Sequence, residues 1–161
     1  MKAPQQIRLT DMSDPDLVKL RAALEVEMRK RGLGFSVGQI GELLVIEYFK
    51  HTPGLPKLLR SPIGTKNVDA LSRNGDRYSI KTVWNAKKTG TIYPDDKDHD
   101  KQLFEFVLIA QLNDNLTVKA VYEFSWKQFV DVRSWDRRMN AWYVGCSMKN
   151  LKKGRNIRAR S

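Results

Sequence analysis

The chain has 161 residues, a length that fits one domain able to bury most of its apolar surface. Hydrophobic residues at 41% and aromatics at 9% mark a folding sequence and exclude a disordered one. The 29 Lys and Arg against 18 Asp and Glu leave a net charge of +11, which favours a polyanionic partner: nucleic acid first, an anionic membrane surface second.

No apolar run approaches the roughly 20 residues that a membrane span requires. Residues 1–14 (MKAPQQIRLTDMSD) lack the apolar centre of a signal peptide. The single cysteine, Cys146, excludes an internal disulfide framework, and two histidines, His51 and His99, argue against structural zinc. A reducing, cytoplasmic setting with no membrane partner is the expectation.

Residues 1–12 read as an extended lead-in. Ser13 then caps a helix whose first turn carries Asp14, Pro15 and Asp16. Leu17, Leu20, Leu24 and Met28 follow at helical spacing, basic residues 29–31 suit the C-terminal dipole, and Gly32 stops the helix. A second helix starts at Ser36, with Gln39 completing a capping box, and runs to Lys50. It is apolar nearly all round, which predicts burial, and Gly38 and Gly41 would let it pack closely on a sheet. Glu42 is the anomaly in that helix, because a carboxylate in apolar surroundings needs a lysine, a metal, a water network or another hydrogen-bond partner.

Residues 51–66 form a turn-rich connection carrying Lys57, Arg60 and Lys66, suited to contact a nucleic-acid backbone or simply to stay solvated. The stretch 67–83 (NVDALSRNGDRYSIKTV) reads as two short strands joined at Asn74-Gly75. Side chains alternate, so Ser79, Lys81 and Val83 share one face while Tyr78, Ile80 and Thr82 share the other. A loop with an odd number of residues puts Asp69 opposite or diagonal to Lys81 on one face; a two-residue loop separates them. A simple cross-strand ion pair is the alternative account of the two charges.

Next comes a polar loop over 84–102 that includes Asp95, Asp96, Asp98 and Asp100. The nearly continuous apolar run 103–112 is the pattern of a central buried strand. Residues 113–115 turn the chain into an alternating strand over 116–124, followed by a short helix over 126–132 and a last strand over 141–146. Residues 149–161 carry six basic residues and no acid, and read as a basic arm.

A glutamate inside an apolar helix (GQIGELLVIEYF), an Asp at a strand end (NVDA) and a strand ending in lysine (YSIK) together resemble the PD-(D/E)XK nuclease superfamily. The resemblance covers roughly residues 36–112 and the strand that follows. It implies an α/β domain spanning 1–161, with a restriction-endonuclease-like central mixed sheet flanked by helices. It further implies a metal-dependent DNA endonuclease, restriction-like or from a phage or mobile element, working as a homodimer when it cuts both strands. Asp69 matches the family's metal-binding aspartate, Lys81 the lysine that handles the attacking water and phosphate charge, and Glu42 the assisting helix glutamate.

The expected cofactor is Mg, or Mn, held by Asp69, Glu42 and the Ile80 carbonyl. Two positions depart from the family pattern. Val68 replaces a proline, and Ser79 stands at the catalytic position that usually holds the second carboxylate. Glu42 is the first substitute for that carboxylate, with Asp95, Asp96 and Glu105 as weaker ones. The other reading of the same residues is a catalytically inactive nucleic-acid-binding module, on DNA or RNA, that keeps the fold and the basic surface.

Overall fold

The computed structural model describes residues 7–34, 36–62 and 64–158. The chain forms two compact units, Met1–Ser36 and Val37–Ser161.

The first unit is a 3-10 turn at Leu9–Asp11 and the helix α1 (Asp14–Lys30); the first half of the expected lead-in lies outside the described residues. The Ser13 hydroxyl accepts the Asp16 N–H at 3.3 Å, which supplies the expected N-cap. At the other end Gly32 takes φ +67. Gly32 N–H reaches the Arg29 carbonyl and Leu33 N–H that of Met28, at 3.1 and 2.8 Å. This is the pairing that closes a helix through a left-handed glycine. No residue of α1 is buried.

The second unit is built on a six-stranded mixed sheet flanked by helices. Its elements are α2 (Val37–His51), β1 (Leu58–Arg60), β2 (Ala70–Ser72), β3 (Arg77–Val83), β4 (Phe106–Leu112) and β5 (Val118–Ser125). After these come α3 (Trp126–Val132), β6 (Arg133–Asp136), β7 (Ala141–Val144), α4 (Met148–Leu151) and β8 (Arg155–Asn156). The sheet order is β1-β2-β3-β4-β5-β8, and only the β3–β4 pair is parallel. β6 and β7 form a separate two-stranded sheet.

The loop joining β2 to β3 settles their register. Ser72 pairs with Asp76, leaving Arg73, Asn74 and Gly75 as a three-residue connection. Gly75 N–H donates to the Ser72 carbonyl at 3.0 Å and Gly75 adopts φ +85, so the turn closes on a glycine bulge. With Ala70 opposite Tyr78 and Leu71 opposite Arg77, Asp69 falls opposite Ser79 and diagonal to Lys81 on one face. The odd-loop expectation is the one realised.

Two apolar cores lie on the two sheet faces. One gathers Val107, Ile109, Phe124 and Phe129 beneath α3 and β7. The other gathers Tyr78, Ile80, Leu108 and Val121 beneath α2. Within α2 only Gly41, Val45 and Phe49 are buried, one stripe at a spacing of four, so the helix is covered on one face rather than all round. Gly41 sits hard against Thr82: a Cβ there would meet the Thr82 hydroxyl, with Cγ2 at 2.6 Å and Cβ at 2.7 Å.

Three segments differ from expectation. The 51–66 connection contains β1, which extends the sheet beyond the hairpin. Residues 133–136 form β6, the partner of the expected last strand. The basic stretch from 149 is no separate arm as far as Arg158: it holds α4 and β8, and β8 pairs with β5. There Leu151 is fully buried, Ile157 N–H donates to the Val121 carbonyl at 3.0 Å, and Arg155 pairs with Glu123 at 3.1 Å. Its basic side chains point outward while its backbone belongs to the sheet.

Candidate active site

Asp69 sits where β2 leaves β3. Its main chain is held on both sides, its carbonyl accepting the Ser61 N–H at 2.9 Å and its N–H donating to the Tyr78 carbonyl at 2.8 Å. Asn67, two residues before it, takes φ +61 and turns the chain away from the sheet. The bond from Asp69, just before β2, is thus the outermost main-chain bond to β3 on this side, and the β3 edge beyond it has no main-chain partner from β2. The Asp69 carboxylate fills part of that gap, its Oδ2 accepting the Ile80 N–H at 2.6 Å. A strand residue directs its N–H and C=O to the same side, so the Ile80 carbonyl faces the gap as well.

Glu42 reaches the gap from the opposite sheet face, where the Gly41–Thr82 contact brings α2 down onto β3. Its side chain is 23% exposed, with Oε2 at 3.9 Å from an Arg60 guanidinium nitrogen on β1. Glu42, Arg60 and Asp69 line a cleft of about 200 Å³ together with Gln39 and Thr65. Burial pushes the Glu42 carboxyl above its ordinary range, the Asp69 charge pushes it further, and Arg60 and Lys81 draw it back. Burial also raises Asp69, against the pull of the Ile80 N–H, Lys81 and Arg60. Lys81 shows the mirror image: burial lowers its pKa while Asp69 and Glu42 hold it up. These three groups, far apart in the chain, thus meet within mutual electrostatic reach.

Lys81 is positioned from the loop that follows its own strand. Its Nζ donates to the Thr91 carbonyl at 3.0 Å. Ser79, between Asp69 and Lys81 on the shared face, is 1% exposed, and its Oγ has no hydrogen-bond partner among the described residues. It brings a buried hydroxyl and no charge to the position where the family pattern has a carboxylate.

The weaker substitutes for that carboxylate are committed elsewhere. Glu105 makes a two-pronged pair with Arg77, at 3.0 and 2.8 Å, and also accepts the Arg77 N–H at 2.6 Å. Asp95 accepts the N–H groups of Lys97 and Asp98 within its own turn. Asp96 lines a different recess. Glu42 is the second carboxylate of the site.

Among the described residues no set of three or more His, Cys, Asp or Glu converges. The available donors are two carboxylates and one main-chain carbonyl, all oxygen. That set fits a hard divalent cation such as magnesium, which takes one or two carboxylates and keeps several waters. Arg60 joins the site from a strand that the sequence pattern presented only as a linker, and the Thr91 carbonyl carries no residue-type signature that could have flagged it.

No protein-family model matches the chain, and no curated protein is significantly similar to it. The fold and the site define a mixed α/β protein with a half-buried cluster of two carboxylates and two cations at a gap in its sheet. Among the described residues no helix is long and apolar enough to cross a membrane.

Proposed function

We propose that the protein is a metal-dependent endonuclease of the PD-(D/E)XK type, hydrolysing phosphodiester bonds of DNA on a restriction-endonuclease-like fold. The observation that carries this reading is the meeting of Glu42, Asp69 and Lys81 at one sheet gap, each with its pKa displaced by burial, and with the lysine and the two carboxylates opposing one another's displacement. The net charge of +11 suits a phosphate-rich substrate.

Asp69, Glu42 and the Ile80 carbonyl would hold Mg or Mn. When bound, the cation polarises the phosphodiester and makes a nearby water more acidic. Asp69 and Glu42 keep their carboxylates in a fixed place because one accepts the Ile80 N–H and the other rides on a helix locked at Gly41. The Lys81 amine is held on the Thr91 carbonyl, from where it would offset negative charge developing on the phosphate. Its lowered pKa makes a neutral, proton-accepting amine easier to reach than on an exposed lysine. Cutting both strands of a duplex takes two such sites, hence two copies of the chain.

The uncharged, buried Ser79 favours a second reading, a nucleic-acid-binding module that has lost the chemistry. Plasmid cleavage with magnesium or manganese separates the two. Under the nuclease reading the native chain nicks or linearises the plasmid, while Asp69→Ala and Lys81→Ala do not. Salt-sensitive DNA binding in all three proteins without cleavage by any of them would leave the binding module.

A further inference from the structure

A second concave site lies beside the first. A recess of about 480 Å³ is lined by Lys66, Tyr93, Asp96, His99, Trp135 and Asn140, a size within the roughly 300–1,000 Å³ of small-ligand sites. Trp135 and His99 stack along one wall and are backed by Trp142 and Arg133. The Arg133 guanidinium lies 3.9 Å over Trp142, Trp142 meets Trp135 edge-on at 4.7 Å, and Trp135 stacks on His99 at 5.4 Å. Arg133 is only 8% exposed, so the base of this stack is fixed in the protein interior. Its last ring, His99, is exposed. Across the recess Tyr93 is 42% exposed.

The recess is tied to the catalytic gap by main-chain links. Thr91, whose carbonyl holds Lys81, is two residues from Tyr93, about 7 Å along an extended segment. Ile92 between them pairs with Trp142 through both main-chain bonds, at 2.7 and 2.9 Å. Asn67 donates from its side chain to the Tyr93 carbonyl at 3.1 Å, and Lys66 precedes it. The strand end that carries Asp69 and the segment that anchors Lys81 therefore form the near rim.

We propose that this recess is a subsite for one unpaired nucleobase, adjacent to the phosphate handled at Lys81. The proposal rests on the nuclease reading for its place in a reaction, while the binding it describes can be measured without any reaction. An open aromatic face on a fixed stack is what a base needs for stacking, and such contacts tolerate any base. Asp96 and Asn140 offer an acceptor and a donor to the base edge, and Lys66 offers a charge to its phosphate. A base inside a duplex already has both faces covered, so the occupant is one that has left the stack or lies in a single strand. The preferred substrate is then single-stranded, or a duplex with a splayed nucleotide next to the bond that is cut.

The test uses the full chain with a single-stranded DNA oligonucleotide carrying one 2-aminopurine, in EDTA so that no strand is cut. The native chain is expected to quench the aminopurine on binding. Tyr93→Ala and His99→Ala, both at exposed side chains, are expected to lose the quenching and bind about tenfold more weakly. Lys81→Ala is expected to retain the quenching. Native affinity and quenching in both aromatic variants would overturn the subsite, whether or not the native chain cuts plasmid. Quenching that depends on Tyr93 and His99 in a chain that never cuts would uphold the subsite and remove the nuclease reading. No binding of the oligonucleotide by the native chain would overturn the subsite and leave the nuclease reading to the plasmid assay.

Discussion

Replacing Gly41 with alanine tests the contact that sets Glu42 over the sheet. The added Cβ would lie 2.6–2.7 Å from the Thr82 Cγ2 and Cβ, where ordinary contact begins at 3.4 Å. The Thr82 Cβ is fixed to the β3 backbone and cannot rotate away, so α2 must lift by roughly 0.7 Å or more. Overpacking of this kind costs about 1–3 kcal/mol. Alanine returns up to about 1 kcal/mol through its better helix propensity. With the Thr82 side chain this close the cost falls at about 2–3 kcal/mol, and the net loss of about 1–2 kcal/mol corresponds to a Tm lower by about 2–8 °C for a protein of this size. Because Glu42 is the next residue, the same displacement separates its carboxylate from Asp69, and cleavage falls by as much as about 100-fold. Circular-dichroism melting and plasmid cleavage of Gly41→Ala read the two effects separately. A Tm equal to or above that of the native chain would show that α2 does not rest on Thr82, and that Glu42 is not set over the sheet by this contact.

Arg60→Gln removes a cation that holds both carboxyls down, so the titration midpoints of Glu42 and Asp69 should move up together in carbon-detected NMR; unmoved midpoints would place Arg60 outside the site. For Glu42 the raised pKa means the folded chain holds more protons than the unfolded one between the ordinary and the raised value, so this group's contribution to stability declines as pH climbs through that window. The Tm of Glu42→Gln relative to the native chain should therefore improve from about pH 4 towards neutrality, and a variant Tm that falls relative to the native one over this range would contradict a raised Glu42 pKa. Ser79→Asp puts a carboxylate where the native side chain is 1% exposed and should cost about 2–4 kcal/mol at neutral pH. If that hydroxyl borders the cation site, manganese should raise the Tm of the variant more than that of the native chain in a thermal shift series.

Most of the scaffold could be read from local chemistry. Ser13 with its acidic first turn and Gly32 bound α1, Asn74-Gly75 marked the hairpin, and the nearly continuous apolar run ending at Leu112 marked β4 in the middle of the sheet. Each of these is decided by neighbours in sequence. β1 and β6 were not legible because they are short and carry no alternation: β1 exposes two of its three residues, and β6 reads Arg-Ser-Trp-Asp. The stretch from 149 misled for a related reason. Its charges describe what faces water, while its place in the sheet depends on main-chain pairing with β5 and on Gly154, where a Cβ would come within 2.8 Å of the Glu123 carbonyl oxygen. At the site, Glu42, Asp69 and Lys81 stood out because each is a charge in an apolar or strand context. The Thr91 carbonyl belongs to every residue type alike and could not stand out.

The charges at the gap explain how Ser79 and a helix-borne carboxylate can coexist. Glu42 and Asp69 supply two negative charges, and Arg60 and Lys81 supply two positive ones, so the cluster is balanced on its own. A third carboxylate at position 79 would leave an excess negative charge in a largely buried place, at a cost of several kcal/mol unless a cation answered it. With serine there, the protein can fold around the gap without depending on a bound ion. A divalent cation entering this balanced cluster would make it net positive, which is the sign that a phosphodiester anion and its more highly charged transition state require. The same balance predicts weak cation binding in the free protein, since Arg60 and Lys81 oppose it, and stronger binding once a phosphate lies across the gap and draws those two side chains towards itself.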